Sequence, residues 1–138
     1  MEISLIDRSL YFKGLLLLIR KDREIHEKEK ILMLRIGAIM GFEKKFCRNA
    51  IREIMDNKNI SDLPPHFSSP EMARCFIHDG IIISLADKEI HDAEISWLKE
   101  VAQINGIENI LDDYLKKMTG STAEDLENNL DVKKLNWG

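Results

Sequence analysis

The sequence predicts an all-α protein of about seven helices, a bundle of two halves related by an approximate two-fold axis. Three observations carry this. Apolar residues recur with a helical period along most of the chain. Only positions 57–70, "NKNISDLPPHFSSP", read as a real loop, because Pro64 and Pro65 forbid a helix there. And two eight-residue stretches nearly coincide, "DREIHEKE" at 22–29 and "DKEIHDAE" at 87–94, an offset of 65.

Each element can be justified in turn. Ser4 with Asp7 resembles a capping box and opens "LIDRSLYFKGLLLLIRK", interrupted only by Gly14. Its second half is apolar all round, as in a helix buried on every side. After the first acidic stretch comes "KEKILMLRIGAIMG", where Gly41 suits a C-terminal cap. In "FEKKFCRNAIREIMDN" the predicted inward stripe is Phe46, Ala50, Ile51, Ile54 and Met55. Beyond the loop, "SSPE" offers an N-cap serine with Pro70 in the first turn. Within "EMARCFIHDGIIISLA", the run "GIIIS" would suit a buried strand. Its alignment with "GLLLLI" in the first half predicts helix instead. The second acidic stretch leads into "AEISWLKEVAQING". Then "IENILDDYLKKM" has apolar residues at 107, 110, 111, 114, 115 and 118, the best amphipathic pattern in the chain. Ser121 and Glu124 predict a short final helix. The tail "DVKKLNWG" is expected to be loosely held, with Leu135 and Trp137 docking on the surface.

A length of 138 residues fits one domain, 1–138, with repeat halves at about 8–57 and 70–118 and a tail at 119–138. Hydrophobic residues are 44% and charged residues 32%, enough for one core and too balanced for a disordered chain. Net charge is −4 and the pI about 5.6, which argues against a nucleic-acid partner. Two cysteines, Cys47 and Cys75, make no framework and no CxxC pair, and read as buried small apolar groups. The run "LLLLI" at 15–19 is far short of the roughly 20 residues that cross a bilayer, so no transmembrane segment is expected. With no N-terminal signal pattern, the expected location is the cytoplasm.

The repeat extends beyond the eight letters. At the same offset Leu16–Leu18 fall on Ile81–Ile83, Gly41 on Gly106, Phe42 on Ile107 and Glu43 on Glu108. Ile25 and Ile90 are the apolar residues of their corners, each set to plug its corner into the core. With His26 and His91 as N-caps, Glu29 and Glu94 stand at N3 and can reach back to a backbone N–H. Acids in a first turn also favour the positive end of the helix dipole, by about 0.3–1 kcal/mol each. Capping does not explain Asp22, Glu24, Asp87 and Glu89, which precede their helices. Two carboxylates about 4 Å apart repel by about 4 kcal/mol at an effective dielectric of about 20. Water, a neighbouring Arg20, Arg23 or Lys88, or a bound cation would offset that. The corner is not an EF-hand. Asp87, Ile90 and Glu94 match three positions of that loop, but two ligand positions fall on Ile83 and Leu85. Nor is it a di-iron motif, since Arg23 and Lys88 stand where glutamate is required.

An apolar helix running into D-x-E-I-x-x-x-E, repeated in the second half, resembles the TerB-like domains of tellurite-resistance and related stress proteins. The similarity spans about residues 8–118. It implies an all-helical, duplicated domain linked to chemical-stress responses and to membrane-associated complexes. It further implies a divalent cation (calcium, magnesium or manganese) held by Asp22, Glu24, Glu29, Asp87, Glu89 and Glu94. His26 and His91 are weaker candidates that would favour manganese, iron or zinc. The sequence departs from the family at Arg23 and Lys88, where glycine is common, and at both histidines. The expected function is a small stress-associated binding module with protein partners. The alternatives are a pure protein-interaction module, whose acids only cap helices, and a metal-dependent enzyme. No nucleophile elbow, P-loop or dinucleotide fingerprint supports the enzyme.

Overall fold

Residues 3–21, 25–57, 59–87, 90–118 and 128–135 are described by a computed structural model. Six α-helices follow in chain order: α1 (Leu5–Arg20), α2 (Glu27–Ile39), α3 (Lys44–Asp56), α4 (Pro70–Ser84), α5 (Asp92–Ile104) and α6 (Ile110–Met118). A 3-10 turn, Leu85–Asp87, extends α4, and another, Asp131–Lys134, lies near the C-terminus. No strand occurs among the described residues. The β-branched Ile81–Ile83 are helical because they are buried on every side, and burial outweighs a propensity deficit of a few tenths of a kcal/mol each.

The helix ends repeat at the offset of 65. α1 and α4 begin at Leu5 and Pro70 behind the N-caps Ser4 and Ser69. Those hydroxyls accept from the N–H of Asp7 (3.1 Å) and Met72 (3.2 Å). α2 and α5 coincide at both ends. Each closes in a Schellman motif, with Gly41 at φ +86° and Gly106 at φ +71°. Phe42 N–H then reaches the Gly37 carbonyl, and Ile107 N–H the Ala102 carbonyl, both at 2.9 Å. Packing repeats as well. α1 rests on α2 and α3 as α4 rests on α5 and α6, and α2 touches α4 as α5 touches α1.

α1 and α4 pack on each other at the centre and supply most of the fully buried side chains. Phe76 anchors an aromatic cluster, edge-on to Tyr11 at 5.3 Å, with Phe67 at 5.2 Å and Trp97 at 6.0 Å. The α2–α3 contact is close because Gly37 has no side chain, and a Cβ there would overlap Cys47 Sγ. Gly37→Ala is therefore expected to lose about 1–3 kcal/mol in a denaturant melt. Gly37→Ala/Cys47→Ala, which removes the overlapping sulfur, should recover most of it. Equal losses in the single and double variants would refute the overlap.

Several expectations change. On α3 the buried residues are Cys47, Ile51 and Ile54, and Phe46 is 52% exposed, stacked on Phe42 at 5.1 Å. Ile51 and Ile54 are thus buried as the sequence predicts, Ala50 and Met55 are half-buried, and Cys47 takes the inward place expected of Phe46. The loop after α3 is pinned from α1 and from α5 with its C-cap. Arg20 donates to the carbonyls of Asn57 and Ile60 and pairs with Asp62. Trp97 Nε1 donates to the Asp62 carbonyl at 3.1 Å, and Asn105 Nδ2 to the Pro65 carbonyl at 2.9 Å. Asp7 joins the loop to α1 by accepting from Ser68 N–H at 3.1 Å. Residues 128–135 are not loosely held, since Leu130 and Val132 are buried and Leu135 is half-buried against the core. Ser121, Glu124 and Trp137 lie outside the described residues.

Candidate functional site

At both acidic corners the histidine is the N-cap and the following glutamate closes a capping box. Glu29 Oε1 accepts from His26 N–H at 2.9 Å, and Glu94 Oε1 from His91 N–H at 3.0 Å. Both glutamates are buried, at 1% exposure, whereas Glu27 and Asp92 are exposed. Ile25 and Ile90 are half-buried against the core, as plugs. Asp22, Glu24, Glu89 and the side chain of Asp87 lie outside the described residues. Among the described residues no three His, Cys, Asp or Glu side chains are grouped to hold a metal ion. Ser84 Oγ, one turn before Asp87, is buried with no hydrogen-bond partner among the described residues.

The capping role can be separated from ligation. Glu94→Ala is expected to lose about 0.5–2 kcal/mol, and Glu94→Gln much less, because an amide oxygen accepts the same bond. Equal losses in urea melts of the two variants would show that the charge, not the cap, is what matters.

A second polar centre had no signature in the repeat. Asp79 sits in the middle of α4 with 0% exposure. Its carboxylate accepts from Tyr11 OH (2.7 Å), Asp131 N–H (2.6 Å) and Val132 N–H (2.8 Å). His78 Nδ1 lies 3.5 Å from Asp79 and 3.4 Å from the Asp131 carboxylate, which Lys134 Nζ meets at 2.9 Å. Burial pushes the Asp79 carboxyl above its usual range, although His78, Tyr11 and the Asp131 N–H pull it down. Burial, then the Asp79 charge, pushes the Tyr11 phenol well up. The Cys75 thiol is pushed up to about 12 by burial and by Asp131 and Asp79. A thiol so held stays protonated at neutral pH and is a poor nucleophile. With Tyr11 and Asp79 sealed from water, the centre fits a clasp that fastens the C-terminal 3-10 turn to α4.

The surface offers a different kind of site. Two adjoining compartments, about 470 and 340 Å³, run along α2 and α3 and share Ile31 and Leu34. The floor is apolar, with Ile25, Ile51, Met55 and Phe42 joining those two. Lys30, Arg35, Lys44, Arg48 and Arg52 line this furrow against two carboxylates, Glu27 and Asp56. None of the five cations has an ion-pair partner among the described residues. On the far side of α3 a groove of about 370 Å³ is lined by Phe12, Leu16, Phe42 and Phe46. Sequence reasoning missed the furrow because its apolar residues fit the same helical period that marks a core. Comparison of the chain with family models, characterised proteins and solved structures found no match.

Proposed function

We propose that the chain is a small, non-catalytic protein-interaction module that docks its partner in the α2–α3 furrow. One observation carries this reading. Ile31 is 53% exposed at the junction of the two compartments, and the residue at the equivalent place in the second half is the exposed Ser96. The helical scaffold accepts a serine there, so an exposed isoleucine is a feature of the surface rather than of the core. The resemblance to TerB-like domains supports a stress-response setting and partners in membrane-associated complexes. No helix among the described residues is long and apolar enough to cross a membrane. Ile31→Ser should leave the melting temperature near wild type and remove the partner set captured from lysate of the source cells. An unchanged partner set would sink the proposal.

The second reading is a divalent cation (calcium, magnesium or manganese) at the corners, and the Ser84 hydroxyl, buried without a partner among the described residues one turn before Asp87, favours it. Such a cation at a hundredfold excess over its dissociation constant would stabilise the fold by about 2.7 kcal/mol. The interaction module is expected to show no thermal shift with millimolar calcium, magnesium or manganese. A shift that vanishes in Asp22→Asn/Asp87→Asn would decide for the cation.

A further inference from the structure

We propose that the α2–α3 furrow takes an acidic amphipathic helix of a partner protein, its apolar stripe on the floor and its carboxylates along the cationic rim. This rests on the furrow being the docking site, and adds the chemistry of what docks there. The argument uses the second half of the chain as an internal control. Features that the fold needs recur at the offset of 65: the serine caps, the His–Glu capping boxes and the Schellman glycines. The rim does not recur. The place of Arg35 is taken by Glu100, of Arg48 by Asp113, of Lys44 by Asn109 and of Lys30 by Ile95, while Arg52 alone keeps its sign as Lys117. Similar helices therefore form without this cationic set. The cations are exposed and unpaired among the described residues, in a chain whose formal net charge is −4.

The shape selects among anionic partners. The floor is mainly aliphatic, with Met55 to adapt its contour, and is bounded by two helices, the geometry in which a third helix lays its i, i+3, i+4, i+7 face. A single nucleic-acid strand would want aromatic rings along the floor to stack its bases. Cations on both flanking helices, Lys30 and Arg35 on α2 and Lys44, Arg48 and Arg52 on α3, bound a trough that suits a rod-like helix better than the plane of a lipid surface.

The test uses the full chain and two labelled peptides of about four helical turns. Both carry leucines at i, i+3, i+4 and i+7. One has glutamates on its flanks and the other lysines. Anisotropy titration should show the glutamate peptide binding at least about tenfold tighter, less so as salt rises. The preference should invert in Arg48→Glu/Arg52→Glu, whose replaced side chains are exposed, with circular dichroism confirming the fold. If both peptides bind equally and Ile31→Ser weakens both, the docking site stands and the acidic partner is overturned. If neither binds, or Ile31→Ser changes neither, the docking reading falls too. Preferential binding of phosphatidylserine vesicles or duplex DNA, lost in the same charge reversal, would overturn the helix in favour of lipid or nucleic acid.

Discussion

Asp79→Ala is expected to destabilise the protein by about 3–5 kcal/mol, a large part of what a domain of this size has. The substitution strands three buried donors: the Tyr11 hydroxyl and the N–H groups of Asp131 and Val132. Each orphaned group costs about 1–3 kcal/mol. Tyr11→Phe, which removes one donor and leaves the carboxylate its two N–H partners, should lose only about 1 kcal/mol. Urea melts of the two variants check this, and equal losses would mean that the clasp contributes little. The effect also carries a pH signature. Asp79 has a folded pKa above its unfolded value of about 3.9. Its titration therefore adds stability that is full below the unfolded value and is lost as pH rises through the folded value. Asp79→Asn cannot titrate. The gap between wild type and Asp79→Asn should narrow as pH rises above about 4. A gap that widens would show that the neighbouring donors hold the carboxyl below its unfolded value.

Phe76→Ala should cost about as much, about 3–5 kcal/mol. The ring is fully buried between Tyr11, Phe67 and Trp97, which sit on α1, the long loop and α5. Gly14 of α1 lies against it so closely that a Cβ would come 2.8 Å from Phe76 Cε2. Three segments fixed by other contacts cannot collapse into the space left by truncation, so the cavity persists. Phe76→Leu, which fills much of that space, is expected to lose about half as much. A loss below about 1 kcal/mol in Phe76→Ala, read from the denaturant midpoint, would mean that the cluster repacks freely.

The repeat was the most legible part of the fold. Caps, helix ends and glycine stops are local devices, so Ser4, His26, Glu29, Gly41 and their partners 65 residues on could be placed from spacing alone. The "GIIIS" run was ambiguous on propensity and was settled by its aligned counterpart, because burial on all sides suits either strand or helix. Asp79 was passed over in the sequence. Its donors come from the backbone of Asp131 and Val132, and a backbone N–H has no letter in the sequence. Asp7 shows the same limit: the Ser4 cap on its N–H was readable, although no reciprocal box forms, and the bond across to Ser68 was not. Phe46 in the groove and Ile31 in the furrow share the period of the residues beneath them, so periodicity could not tell a surface depression from a core.

The clasp also orders events in time. Asp79 and Asp131 are 52 residues apart. At about 5–20 residues per second, a ribosome delivers the second roughly 3–10 s after the first. Helical hairpins form in far less time than that. During synthesis α1 and α4 can meet while the carboxylate between them still lacks two of its three donors. The nascent chain must keep that acid hydrated or protonated until Asp131 and Val132 emerge. A chain cut between Met118 and Asp131 would therefore carry all six described helices around an unfastened core.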